Sequence, residues 1–327
     1  MKAQTPIFIL GAGAIGLPLA LHLAMAGRTV VAVRTSRSDV PASTATVTVD
    51  TGAERLSAAI ATVSLAQLER IDGLVVVTSK SYANAVIAQE LTAKAGVGSV
   101  AILQNGVGVE RPFLEAGIPE VYRCVLYLTS QAIAAASYAT RPVTASPIGV
   151  IRGSADGLQR YVTALHTAAF PFRAEPNIQR EIWKKAIINA VFNSICPLLE
   201  VDNGVFARDE AAASLALTVV RECITLTDRL GLDLGEHDVM EQLRLISRRS
   251  DGQLISTLQD IRSGRPTEIA SLNLEIARIA AESQPSLALP CTALLGRMIV
   301  VKSGQHVVGG DPYEGAGSPV RPAATES

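Results

Sequence analysis

Short apolar runs alternate with longer apolar segments through the first half of the chain, and the pattern changes character after residue 175. PIFIL (6–10) is a brief hydrophobic run ended by glycine, which predicts a buried strand. AIGLPLALHLAMA (14–26) predicts a buried helix stopped by Gly27. TVVAV (29–33), rich in β-branched residues, predicts the next strand, and LVVVT (74–78) and SVAIL (99–103) repeat the pattern around a helix near 81–95. Strands alternating with helices imply a parallel, doubly wound sheet. Residues 120–152 read as strands and turns at a sheet edge, and a helix near 155–168 closes this part.

Beyond PFRAEPN (171–177) the periodicity is helical, over roughly 178–200, 208–232, 236–250, 254–263, 267–284 and 290–302. The expectation is therefore an α/β Rossmann-type N-terminal domain over 1–175 and an all-α C-terminal domain over 176–308. The remainder, 309–327, is rich in Gly, Pro, Ala and Ser and reads as a flexible tail.

Composition narrows the function classes. Hydrophobic residues make up 48% of the 327 and charged residues 18%, which is globular. Lysine and arginine total 29 against 30 acidic residues, so nothing favours a nucleic-acid or anionic-membrane partner. Cys124, Cys196, Cys223 and Cys291 are far apart with no metal-ligand spacing, and no metal site is expected. The N-terminal lysine, apolar run and LAMAG resemble a signal peptide, but spaced glycines, Pro18 and His22 suit a strand–turn–helix unit better. No apolar stretch is long enough to span a bilayer, and the protein is read as cytoplasmic. The apolar helices of the second half suit self-association as a homodimer.

The turn after the first strand is GAGAIG: Gly11, Ala12, Gly13, Ala14, Ile15 and Gly16. Its glycines have the G-x-G-x-x-G spacing. The first permits a tight turn, the second admits a pyrophosphate, and the third allows close helix–strand packing. A strand before the motif and a helix after it supply the context that separates dinucleotide binding from an ordinary turn. The second strand ends at Arg34, where NAD binders keep a carboxylate. Arginine there favours NADP(H), because it can hold a 2′-phosphate that a carboxylate would repel; the alternative is a solvated basic loop.

Lys80 and Asn105 each follow a strand and so fall at the sheet edge where ligands bind in such folds. In WKKAIINAVFN (183–193), Lys185, Asn189 and Asn193 recur every fourth residue. Four residues advance a helix by about 400°, so the three form one polar stripe drifting about 40° per step. Ile182, Ile187, Ile188, Val191 and Phe192 surround them. Burying such a stripe without partners is costly, and a cleft holding a polar ligand would satisfy it.

With GAGAIG, Lys80, LQNGVG (103–108), WKKAIINAVFN, the Asn-Gly at 203–204 and STLQDIRSGRPTEI (256–269), the chain resembles the ketopantoate reductases (2-dehydropantoate 2-reductases) over about residues 5–302. The resemblance implies an enzyme of pantothenate biosynthesis that reduces 2-dehydropantoate with NADPH. It implies Lys185 as general acid and Glu268 as the carboxylate near the substrate hydroxyl and cofactor. Asn189, Asn193, Asn203 and Ser256 match substrate-binding positions, while Lys80 and Asn105 match the nicotinamide side. The chemistry is coherent: hydride addition to a 2-keto acid builds charge on oxygen, which a cationic donor stabilises and protonates. Glu268 could equally be a first-turn helix acid after Pro266, and Ser256 a helix N-cap.

Two departures from the family pattern bear on the substrate. Ala270 and Leu274 stand where the family has an acid and a glycine, and the leucine is expected to shift helices or narrow a pocket. Residues 125–150 lack the usual glycine-rich pattern. A bulkier 2-keto acid is therefore one alternative. An opine-type dehydrogenase and a non-catalytic NADP(H)-sensing protein are the others; the last has no need of Lys185 and Glu268 together.

Overall fold

The computed structural model describes residues 5–35 and 40–304. The tail expected over 309–327 lies outside the described residues, as do Ser36, Arg37 and Ser38. Two compact units divide the chain: Met1–Asn189 with Thr227–Gly235, and Ala190–Leu226 with Glu236–Ser327.

The first unit is built on one eleven-stranded sheet. Its elements begin with β1 (Ile7–Leu10), α1 (Gly16–Met25), β2 (Val30–Arg34), β3 (Ser43–Asp50) and β4 (Arg55–Ser64). They continue with β5 (Leu74–Val77), α2 (Asn84–Thr92), β6 (Ser99–Ile102), α3 (Arg111–Glu115) and β7 (Glu120–Cys124). The last are β8 (Leu128–Ala134), β9 (Ser137–Pro142), β10 (Ser146–Arg152), α4 (Ala155–Leu165) and β11 (Phe172–Ala174).

At the centre, strands in the order β4-β2-β1-β5-β6-β7 run parallel. β1, β5 and β6 are buried at every position. Their residues alternate between two cores, Ile7 and Ile9 in one, Phe8 and Leu10 in the other. Continuous apolar runs are what strands covered on both faces require. The chain winds outward from β1 through β2, then returns to place β5 on the opposite flank of β1. That reversal makes a crevice beyond the carboxyl ends of β1 and β5.

Two features lie beyond the expected elements. Residues 43–64 form an antiparallel hairpin, β3 on β4, running from Ser43 opposite Thr62 to Asp50 opposite Arg55. These strands are built from Ser, Thr and Ala with few large apolar residues, and their outer ends are exposed. The edge expected over 120–152 resolves into four strands. β10 runs antiparallel to β7, and the β8–β9 hairpin extends the other side of the sheet through β3.

Strands end with β11, and the 22-residue helix α5 (Ile178–Leu199) follows. The units divide within it, at Asn189 and Ala190, whereas the sequence expectation placed the boundary at 175. Further on come α6 (Val205–Arg208), α7 (Glu210–Arg229), α8 (Glu236–Arg249), α9 (Ser256–Arg262), α10 (Asn273–Glu282) and α11 (Pro290–Ser303). No strand occurs among the described residues of the second unit. Leu274 of α10 packs over Gly296 of α11: a Cβ built on that glycine would stand 2.8 Å from Leu274 Cδ2. The volume added at 274 is thus absorbed by a missing side chain on the next helix. Among the described residues no helix is long and apolar enough to cross a membrane.

Candidate functional site

The glycine loop lies at the crevice, and its three glycines have different surroundings. Gly11 has φ +123°, outside the range most side chains tolerate, and a Cβ there would strike the Thr78–Ser79 backbone. A Cβ on Gly16 would collide with the carbonyl oxygen of Gly11, so α1 can start this close to β1 only without a side chain. Gly13 differs: apart from its chain neighbours, no described residue lies within 4 Å of the position its Cβ would take. The loop is tied to the sheet by Gly11 N–H donating to the Val33 carbonyl at 2.9 Å and the Thr78 hydroxyl donating to the Gly11 carbonyl at 3.0 Å. The Ser130 hydroxyl of β8 donates to the Ala14 carbonyl. Among the described residues no side chain caps the N-terminus of α1. Uncapped first-turn amides, helix dipole and an open Gly13 together suit a pyrophosphate.

Arg34 ends β2, where no carboxylate stands. Its guanidinium donates to the carbonyls of Val40 at 3.0 Å and Pro41 at 2.7 Å, with Ser43 Oγ at 3.5 Å. The group therefore ties down Val40 and Pro41 as well as standing at the expected strand end. Its Nε is buried with no partner among the described residues.

Beyond β5 and β6 a buried polar network links the strand ends. Gln104 and Asn84 exchange amide hydrogen bonds of 2.7 and 2.8 Å. Gln104 also donates to the Ser79 carbonyl at 2.7 Å, and Asn84 to the Val109 carbonyl at 2.8 Å. Lys80, half-buried, precedes a short turn over Ser81–Ala83. Asn105 follows Gln104 and is also half-buried.

Lys185 on α5 is half-buried and donates to the Leu126 carbonyl at 2.5 Å. Its ammonium lies 5.6 Å from the centroid of the Tyr127 ring, within cation–π range. The Tyr127 hydroxyl donates to Glu181 at 3.2 Å, one turn earlier on the same helix. Burial and the Glu181 carboxylate raise the Tyr127 phenol, so it is neutral at working pH. A cavity of about 10 Å³, comparable to one water, brings Lys185 and Asn105 together with Gly106, Arg123 and Cys124. Burial pushes the Cys124 thiol up to about 12, with Lys185 and Arg123 pulling the other way. A neutral thiol is a poor nucleophile and here serves as lining.

In the second unit, Asn193 Oδ1 accepts from Thr257 at 2.7 Å, with the Ser256 hydroxyl at 3.4 Å. Ser256 is the first residue of α9, not its cap; that position is Ile255. The Asn203 backbone is fixed by N–H to the Gln253 carbonyl at 2.9 Å and by its own carbonyl accepting from Ser247 at 2.7 Å. Its side-chain Oδ1 is buried with no partner among the described residues. Glu268 is half-buried and precedes a three-residue turn, Ile269–Ser271, with no side-chain cap bond. The helix-dipole reading of this acid is therefore not realised in a regular helix. Asn189 is half-buried on α5, between Lys185 and Asn193.

The structure thus joins Lys185 with Asn105, and Asn193 with Ser256. Sequence reasoning missed Gln104, Arg123, Tyr127 and Thr257. The first and last adjoin recognised motif residues and could have been found that way. Arg123 and Tyr127 carry no motif.

A doubly wound sheet with a glycine loop at its switch point, followed by an all-helical unit, defines a two-unit Rossmann-type chain. Residues 7–141 match the family described as Ketopantoate reductase PanE/ApbA, and residues 177–300 match Ketopantoate reductase PanE/ApbA C terminal. The 2-dehydropantoate 2-reductase of Pyrococcus abyssi is 27% identical over 299 residues, covering 90% of this chain and 96% of its own. A solved D-mandelate dehydrogenase with NADH and anilino(oxo)acetate superposes with a TM-score of 0.78 at 19% identity, covering 91% of this chain and 98% of that one. A dimeric ketopantoate reductase from Staphylococcus aureus does so at 0.76 and 18%, covering 91% and 99%. The chain belongs to the ketopantoate reductase family, and is an oxidoreductase acting on a CH–OH group.

Proposed function

We propose that this protein reduces 2-dehydropantoate, or a closely related 2-keto acid, to the 2-hydroxy acid with NADPH, and that Lys185 is the general acid. The observation that carries the reading is Lys185 itself: a half-buried ammonium braced by a carbonyl and an aromatic ring, sharing a cavity with Asn105. A nicotinamide dinucleotide would be held by Gly11, Ala12, Gly13, Ala14, Ile15 and Gly16, with Arg34 at its 2′-phosphate and Lys80 and Asn105 toward its nicotinamide end. When bound it supplies the hydride for the carbonyl carbon.

The residues of the chain do the rest. As negative charge grows on the carbonyl oxygen, Lys185 stabilises it and delivers a proton from Nζ. The Leu126 carbonyl and Tyr127 ring hold the ammonium in place, which lowers the entropy cost of reaching the productive geometry. Asn189, Asn193, Asn203 and Ser256 bind the keto acid, and Glu268 hydrogen-bonds near its hydroxyl. The direct test is NADPH oxidation by the wild-type protein with ketopantoate, pyruvate, 2-oxoisovalerate and bulkier 2-keto acids. A 2-hydroxy acid should form from at least one branched acid; a protein that binds NADPH and reduces none would overturn the proposal.

Arg34 gives a second prediction. Arg34→Asp should reduce the preference for NADPH over NADH, since a charge-assisted bond worth about 1.5–3 kcal/mol is replaced by repulsion. That corresponds to a change in the kcat/KM ratio of roughly 10- to 100-fold. Because Arg34 also braces Val40 and Pro41, Tm is measured alongside. An unaltered ratio in a stable variant would remove Arg34 from cofactor choice.

A bulkier 2-keto acid is the second reading. The shared fold of a D-mandelate dehydrogenase solved with anilino(oxo)acetate is compatible with it. The substrate panel separates the two.

A further inference from the structure

Arg123 is among the most buried large side chains of the protein, 1% exposed, yet it belongs to none of the recognised motifs. It lies near the end of β7, the strand beside β6. One terminal nitrogen, Nη2, donates to the Gly106 carbonyl at 2.9 Å and reaches the Gln104 carbonyl at 3.4 Å. The other, Nη1, pairs with Glu110, which immediately precedes α3. These contacts bracket one residue, Asn105, whose neighbours on both sides are gripped through their backbone oxygens. Asn105 and Arg123 line the same small cavity as Lys185.

Stability alone explains this arrangement poorly. Burying an ion pair is at best near neutral against a well-packed apolar pair. Here the Nε of Arg123 is in addition buried with no partner among the described residues, a further cost. A planar guanidinium is, however, well suited to holding a carboxylate and backbone carbonyls at fixed relative positions. The loop is fixed from its other side as well, because the Gln104 side chain is locked to Asn84 and to the Ser79 carbonyl. Gripped from both directions, the loop has little freedom left at Asn105.

We propose that Arg123 is a positioning residue, whose buried guanidinium grips the two carbonyls flanking Asn105 and so fixes that amide beside Lys185. The proposal deepens the function given above and rests on it for the reaction that is read out. Its structural half stands apart, because loop order can be measured with no substrate present.

The test uses the full-length protein carrying Arg123→Lys, which keeps a charge for Glu110 but loses the fork that reaches both carbonyls. Amide hydrogen exchange over residues 103–109 should accelerate about tenfold or more, with exchange in β1 and β5 unaffected. A displaced reacting group lowers turnover on the order of 100-fold, so kcat should fall strongly while KM for the keto acid stays within about twofold. In an Asn105→Ala background, Arg123→Lys should cause no further loss, because its effect passes through Asn105. Should Arg123→Lys fail to fold, Arg123→Met/Glu110→Leu removes both charges together and takes its place.

Unaccelerated exchange in the loop, or losses that multiply independently in the double variant, would overturn the proposal. If Asn105→Ala leaves every keto-acid rate intact, the reading of the active site fails at Asn105, and the exchange data still decide whether Arg123 orders the loop.

Discussion

Lys185→Ala should lower kcat for keto-acid reduction by roughly 10²- to 10⁴-fold, the usual contribution of a positioned general acid. The substitution also leaves the partly buried Leu126 carbonyl without its donor, which costs about 1–3 kcal/mol of stability. Lys185→Gln separates the two effects. Its amide can still donate to that carbonyl, but it cannot give up a proton to an alkoxide. Lys185→Arg keeps the charge, yet a guanidinium does not deprotonate in proteins, so the proton step should remain impaired. All three variants should bind NADPH near the wild-type level in a fluorescence titration. A Lys185→Gln protein with wild-type kcat would show that the proton comes from elsewhere.

The glycine loop gives the second large effect, because its glycines predict opposite failures. Gly13→Ala places a methyl group where no described residue beyond its chain neighbours lies within 4 Å, so the variant should fold and melt normally. That same methyl group would occupy the approach of a pyrophosphate. Losing two charge-assisted bonds of about 1.5 kcal/mol each weakens nucleotide affinity on the order of 100-fold. Gly16→Ala instead drives a Cβ into the Gly11 carbonyl and within 2.7 Å of Thr78 Oγ1. Overpacking of this kind typically costs about 1–3 kcal/mol, more than the roughly 1 kcal/mol gained in helix propensity. Thermal melts and nucleotide titrations on both variants check this. Wild-type affinity in Gly13→Ala would remove the loop from nucleotide binding.

The sequence made the parallel core legible because strands covered on both faces are apolar nearly throughout, as IFIL and LVVV are and as SVAI is after Ser99. The β3–β4 hairpin was not legible. STATVTVD and RLSAAIATVS are built largely of small side chains, which leave little hydrophobic contrast to read. The polar stripe on α5 was legible as an anomaly, since the helical period alone aligns Lys185, Asn189 and Asn193. What holds Lys185 was not. Leu126 and Tyr127 lie some sixty residues away along the chain, and only the tertiary fold brings them to that ammonium. Arg123 was hidden for the same reason: in sequence it is one basic residue near the end of a strand, and its role depends on β7 lying beside β6. Leu274 illustrates a different limit. A leucine for a glycine reads as a clash until Gly296 is found opposite it.

The central claim is that one amine protonates the reduced carbonyl, and the pH dependence of kcat/KM for the keto acid tests it most directly. An acid must be protonated to act, so the wild-type profile should fall on the alkaline side, and Lys185→Gln should show a low, flat profile over the same range. A Lys185→Gln profile that keeps both the wild-type rate and the alkaline fall would contradict the account.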